Sequence, residues 1–207
     1  MKYIKTKFMI TSSQKNKYLW FRVAKAATTT ILSHLCQHTK ISFCNRINIY
    51  QNDENVWQEY LLWKNRMYSD NYFKFAFVRN PWDRLVSCYF NKMEDGYENF
   101  NKNNFKTFDK FIHYIRNVKT KTCDRHYRLQ TELYPIDQID FVGRFENFAN
   151  DLGFVCDAIG MPKRKKFKTM HKSKHRPYQE YYNEETQQIV KDKYEQDIEL
   201  LNYKFGE

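Results

Sequence analysis

Two stretches of this 207-residue chain read as a strand that turns directly into a helix. In the first, Tyr18–Val23 is an aromatic and β-branched run of strand type, and Ala24–Ala27 are small enough to let backbone come close to a ligand. Thr28, Thr29 and Thr30 then open an apolar-periodic segment through Ile31, Leu32 and Leu35, running to about His38. In the second, Tyr72–Arg79 is a strand whose nearly continuous apolar end suits a buried parallel sheet. Asn80 is placed to cap the following helix, Pro81 fits its first position, and Asp83 is an acid in its first turn. Trp82, Leu85, Val86, Tyr89, Phe90 and Met93 share one face of that helix; Arg84, Ser87 and Asn91 share another.

Weaker patterns fill the rest. Residues 1–17 read as a polar, frayed lead-in with a short β segment at Tyr3–Ile10, and Trp57, Tyr60, Leu61 and Lys64 suggest one surface helix within 39–71. After a polar loop beyond Met93, Thr107 caps a helix carrying Phe108, Phe111, Ile112 and Ile115. Cys123–Gln130 is polar and without period, as a site-lining loop would be. Ile139–Phe145 is a third strand, and Glu146-Asn147 opens a helix through Phe148, Leu152, Val155 and Ile159 that Gly160 and Pro162 stop. A final helix spans Glu184–Leu201 and buries Ile189, Val190, Tyr194, Ile198 and Leu201. Strands alternating with helices predict an α/β fold with a central mostly parallel sheet flanked by helices, in a single domain over residues 1–207.

Composition narrows the function. A hydrophobic content of 42% and an aromatic content of 18% exclude a disordered chain. No apolar run reaches membrane-spanning length, and the N-terminus lacks a signal-peptide core. Five widely spaced cysteines without a CxxC pair argue for reduced thiols and a cytoplasmic setting. The net charge is +11, but eight Lys/Arg and no acid lie between Lys163 and Arg176, which leaves only +3 for the remainder. Local basicity of this kind marks an anion-binding segment better than a protein coated for nucleic acid, although a solvated face is the plainer reading.

The hydroxyls of Thr28–Thr30 and the free N–H groups of a helix start form an anion site, with Lys25 three residues before the first threonine. The bland alternative is an ordinary βα connection with a surface lysine. It is not a Walker loop, because no glycines precede the lysine.

The stretch FVRNPWDRLVSCYFNKM, residues 77–93, resembles the 3′-phosphate-binding motif of the carbohydrate sulfotransferase family. That family includes the chondroitin, dermatan and heparan uronyl 2-O enzymes together with compact bacterial relatives. VAKAATTT is similar to its 5′-phosphosulfate loop, while HYRLQ, DFVGRFEN and HKSKHRPYQEYYNEET look like further recurring parts, so the resemblance covers most of residues 18–206. Departures are Ala24, where many members have proline, and the missing membrane anchor of the Golgi enzymes.

The resemblance implies a P-loop-like three-layer fold, 3′-phosphoadenosine-5′-phosphosulfate (PAPS) as donor, a carbohydrate or related hydroxyl as acceptor, and neither a metal nor a nucleic-acid partner. Lys25, Ala26, Ala27, Thr28, Thr29 and Thr30 would hold the 5′ end, and Arg79 with Ser87 the 3′-phosphate. Ser173, Lys174 and Arg176 of the basic run are candidates to close over that phosphate. Lys25 would meet the charge that grows on the leaving oxygen. The uronyl 2-O enzymes carry a base histidine between the two nucleotide motifs, but no histidine lies between His38 and His113 here. His126, in DRHYRLQ, is the candidate base; Glu146 is its rival, His34 reads as structural, and His113 has no evident partner. A P-loop phosphotransferase and a basic nucleic-acid-binding module remain as alternatives.

Overall fold

Strands buried on both faces need apolar residues at successive positions rather than alternate ones, and YLWF and the FAFV end of FKFAFV meet that need. The computed structural model describes residues 9–38, 42–44, 65–94, 105–120, 123–163 and 175–207. The helix expected around Trp57–Lys64, most of the β segment expected at Tyr3–Ile10, and Ser173 and Lys174 lie outside the described residues. Two compact units share the chain. The first draws on Met1–Val23, Ala27–Val78 and Leu133–Lys168, the second on Ala24–Ala26, Arg79–Glu132 and Thr169–Glu207.

The first unit is a five-stranded sheet with helices. Its strands are β1 (Ile10–Ser13), β2 (Tyr18–Phe21), β3 (Ser42–Cys44), β4 (Phe73–Val78) and β5 (Phe141–Arg144), in the order β3-β1-β2-β4-β5. β2, β4 and β5 pair in parallel, with Tyr18 opposite Phe73 and Phe75 opposite Phe141. β1 is antiparallel to both β2 and β3, so four strands run one way and β1 alone is reversed. Trp20 and Phe75 stack at 6.2 Å between ring centroids in the middle of this sheet. The supposed lead-in is therefore structural: ITSS is wholly buried and forms a hairpin with β2. Its three hydroxyl residues hide it from a search for apolar runs. Small β-tolerant side chains and a full backbone ladder make it a strand regardless.

Helices α1 (Thr28–His38) and α4 (Phe148–Ala158) belong to this unit and meet where His34 Nε2 lies 3.3 Å from Cys156 Sγ. His34 is thus a buried packing residue, as expected. Helix α4 starts after a 3-10 turn at Phe145–Asn147, and its C-terminal end is closed by Gly160, just beyond the cap residue Ile159, with φ +62°. There Met161 N–H donates to Cys156 O and Gly160 N–H to Asp157 O, the paired bonds that close a helix with glycine.

The second unit is helical, with α2 (Pro81–Glu94), α3 (Phe108–Asn117), α5 (Glu184–Lys193) and α6 (Glu195–Leu201). Trp82, Leu85, Val86 and Tyr89 of α2 join Phe108, Phe111, Ile112 and Ile115 of α3 and Ile189 and Val190 of α5 in one core. Asn80 Oδ1 accepts from Trp82 N–H, and Thr107 accepts from Lys110 N–H, so both anticipated caps form. The expected single C-terminal helix is two. Tyr194 departs from helical geometry, sits fully buried, and donates its hydroxyl to Tyr127 O at 2.5 Å. The break also lets Asp197, an acid at a position with no apolar signal, face the interior completely buried. No helix among the described residues is long and apolar enough to cross a membrane.

Gly143 is where the sheet tolerates no side chain, because a Cβ there would lie 2.6 Å from Phe77 Cε1 and under 3 Å from two more ring atoms. Gly143→Ala should lower unfolding free energy by about 1–3 kcal/mol, the usual cost of overpacking. Gly153→Ala, inside α4 with nothing nearer than 4.0 Å, should raise it by about 0.5–1 kcal/mol. Urea titration of both proteins reads the opposite signs.

Candidate active site

The loop after β2 takes a conformation that its residues do not favour. Lys25 has φ +69° and Ala27 φ +58°, although neither is glycine. Left-handed non-glycine residues cost on the order of 1–3 kcal/mol each and survive only where surroundings impose them. Alternating handedness also turns successive N–H groups toward one side, a concavity suited to anions. In the first unit, Thr28 Oγ1 donates to Val23 O at 2.9 Å, and the first helical bond of α1 runs from Ile31 N–H to Ala27 O. That leaves the first-turn N–H groups of Thr28–Thr30 as donors for a ligand.

In the second unit two arginines hold the loop. Arg84 Nε donates to Ala24 O at 3.0 Å, and an Arg79 guanidinium N–H donates to Lys25 O at 3.3 Å. Lys25 Nζ donates to Asn91 Oδ1 at 2.8 Å. Arg79 Nε is fixed to Asp83 Oδ2 at 2.8 Å, with both side chains largely buried. Asp83, Ser87 and Asn91 follow one another every four residues and so form one stripe along α2. Ser87 is buried on it. The structure therefore gathers Lys25, Arg79 and Ser87 around one helix, with Ala26 buried beside Lys25 in the loop. Ala27, Thr28, Thr29 and Thr30 belong to the first unit.

Arg79 is also held through its backbone. Gln130, fully buried, accepts from Arg79 N–H at 2.9 Å and donates to Arg79 O at 2.8 Å. Asp197 in turn accepts from Gln130 N–H, Thr131 N–H and Thr131 Oγ1 at 2.7–2.9 Å.

His126 has a carboxylate partner. Asp124 Oδ1 accepts from His126 N–H at 2.8 Å and lies 2.6 Å from Nδ1, while Asp124 Oδ2 pairs with Lys92 Nζ at 3.1 Å. A carboxylate can only accept, so Nδ1 carries the proton and Nε2 is the basic nitrogen. Burial, the largest influence, together with the Lys92 and Arg125 charges pushes the imidazole below its ordinary value against the upward pull of Asp124. Burial alone would raise the Asp124 carboxyl, but the His126 hydrogen bonds and the nearby Lys92 charge together hold it well below the usual range.

The remaining candidates separate. Arg176 is exposed, paired with Glu180 at 2.9 Å and stacked over the Tyr181 ring. Glu146 is exposed in the turn that precedes α4. His113, expected to lack partners, lies 3.5 Å from Asp109 and 3.9 Å from Glu185, because α5 brings an acid to the same face. Asp83, Arg84, Asn91, Lys92, Asp124, Gln130 and Asp197 escaped sequence reasoning as site residues. Only Asp83, Arg84 and Asn91 carried a signal, through their spacing to Arg79 and Ser87 on α2.

The family profile described as "Sulfotransferase family" matches residues 8–204. Carbohydrate sulfotransferase 9 of Homo sapiens is 30% identical over 168 residues, taking in 65% of this chain and 38% of that protein. Carbohydrate sulfotransferase 14 of Danio rerio is 27% identical over 122 residues, 47% of this chain and 32% of that protein. An uncharacterized protein of Archaeoglobus fulgidus is 33% identical over 99 residues, 45% of this chain and 72% of that protein. The chain thus spans well under half the length of the two carbohydrate sulfotransferases. No solved structure matches it. With a profile match across nearly its whole length, the chain belongs to the sulfotransferase family.

Proposed function

We propose that this chain moves a sulfuryl group from PAPS to a hydroxyl of a carbohydrate or related acceptor, on a P-loop-like three-layer fold. The observation that supports it most lies within the second unit, where Arg79 donates to the backbone of Lys25 beside a stripe carrying Ser87. A nucleotide phosphorylated at both ends needs two anion sites. Thr28–Thr30, with the loop at Ala26 and Ala27, take the 5′-phosphosulfate; Arg79 and Ser87 take the 3′-phosphate, and Ser173, Lys174 and Arg176 close over it. Asp83 orients the arginine so that its planar fork meets the phosphate oxygens.

The transfer is an in-line displacement at sulfur, so positioning and charge stabilisation supply most of the rate. The acceptor hydroxyl attacks sulfur, its proton passes to His126 Nε2, and the bond from sulfur to the phosphate oxygen breaks. Lys25 stabilises the charge arriving on that oxygen. The scheme uses no metal. A phosphotransferase would need Walker glycines, whereas this loop reaches its left-handed turns with Lys25 and Ala27. The nucleic-acid alternative rests on 163–176, whose basic residues among those described are Lys163 and Arg176, each paired with an acid.

Thermal shift with adenosine 3′,5′-bisphosphate (PAP), ATP–Mg²⁺ and RNA separates the readings: only PAP should stabilise the protein, and a response to ATP–Mg²⁺ or RNA alone would overturn the donor assignment. Arg79→Ala should weaken PAP binding by roughly ten- to a hundred-fold, the loss of a charged hydrogen bond, with Ser87→Ala the smaller effect by calorimetry. Lys25→Ala should lower turnover at saturating PAPS more than it weakens PAP binding, since its charge partner develops in the transition state. Because His126 titrates below the ordinary histidine value of about 6.5, its neutral, basic form prevails at pH 7. kcat/KM for ³⁵S transfer to desulfated chondroitin should stay flat near neutrality and fall only as pH drops through that lowered pKa. His126→Gln should be nearly inactive with PAP affinity intact; near-normal turnover would reduce His126 to orienting the acceptor.

A further inference from the structure

Arg84 is completely buried, yet among the described residues it forms no ion pair. Its guanidinium donates to three backbone carbonyls: Ala24 O from Nε at 3.0 Å, Arg128 O from NH1 at 2.7 Å, and Arg125 O from NH2 at 2.9 Å. A buried cation without a counter-ion carries a desolvation cost that carbonyl dipoles offset only when geometry is good. A leucine or methionine would fill the same volume at lower cost. The contacts explain the choice of residue. Ala24 immediately precedes Lys25, Arg125 immediately precedes His126, and Arg128 lies two residues beyond it.

We propose that Arg84 is a positioning residue that sets the separation between Lys25 and His126, by clamping the backbone before each of them with one rigid, planar group. This rests on the sulfuryl-transfer reading, in which Lys25 serves the leaving oxygen and His126 the incoming hydroxyl. Those two tasks act on the same displacement, so their spacing has to be fixed within a fraction of an ångström. A shift of about 1 Å in such a pair costs on the order of a hundredfold in rate. The fork holds three carbonyls in fixed directions, whereas a lysine ammonium is a point charge on a flexible stem. The Ala24 bond also falls on the peptide next to the left-handed Lys25, so the same guanidinium holds the loop in its unfavourable conformation. The groups around the His126 ring are Asp124, Lys92 and Arg125, none of which an Arg84 substitution removes.

Arg84→Lys and Arg84→Gln test the clamp, the glutamine variant removing the buried charge while keeping two donors. In folded protein, turnover should fall about a hundredfold while PAP affinity changes by less than about tenfold, a loss in kcat and not in donor binding. The histidine side-chain NMR titration of His126 should move upward toward the ordinary value as its segment loosens and hydrates. Wild-type turnover in either variant, or an unchanged His126 titration, overturns the proposal. So does failure of both variants to fold, which would make Arg84 a stability residue. If the wild-type protein binds no PAP, the donor reading fails, and the His126 titration in the variants still decides whether Arg84 holds that segment.

Discussion

Arg79 and Arg84, five residues apart across the start of α2, donate to the consecutive carbonyls of Lys25 and Ala24, and within the second unit those two bonds tie the loop residues to the helix. A glycine-rich phosphate loop adopts left-handed turns freely, because it has no Cβ to clash. Here a lysine, Lys25, makes such a turn, at a cost of about 1–3 kcal/mol. Hydrogen bonds from charged donors contribute about 1.5–3 kcal/mol each, so the two arginines are of the right size to offset the strain. The backbone around Lys25 is therefore held by arginines of the same unit, without the glycines of a Walker loop. This also binds the fate of those loop residues to that of α2.

Support behind these groups is built in the same way, with carboxylates holding backbone and not bulk water. Asp197 accepts three hydrogen bonds from Gln130 and Thr131, and Gln130 brackets both polar groups of the Arg79 peptide. Satisfied networks of this kind are rigid, since each member left unpaired in a dry interior would cost more than the bond it gives up. Asp83 then orients the Arg79 side chain from within its own helix. Arg79 is thus held from its backbone and from Nε. A phosphate would meet a donor whose conformational entropy has already been removed.

The parts of this structure that were legible in the sequence are those encoded over a few residues. FKFAFV followed by NPWD announces a buried strand, a cap and a helix start, and each formed as the local chemistry requires. Contacts made across long stretches of chain left no such trace. Gln130 is 51 residues from Arg79, and Asp197 is 67 from Gln130. No period or cap signal marks either residue. β1 was missed because three of its four residues carry hydroxyls, and the break at Tyr194 because both halves keep one apolar face. The left-handed turn at Lys25 was hidden for a different reason: it contradicts local preference, and the bonds from Arg79 and Arg84 hold the peptides on either side of it.

The electrostatics of His126 show how one carboxylate can be shared between an imidazole and an ammonium. Asp124 alone beside an imidazole would stabilise its charged form and raise its pKa, which favours a histidine that is already protonated near neutrality. Lys92 takes the other oxygen of the same carboxylate, and its positive charge opposes protonation of the ring. Burial pushes in the same direction. The Asp124 interaction also fixes the ring orientation and keeps a proton on Nδ1. The pairing of Lys92 with Asp124 thus bears on the ring as well as on the carboxylate, and the three side chains act as one electrostatic unit.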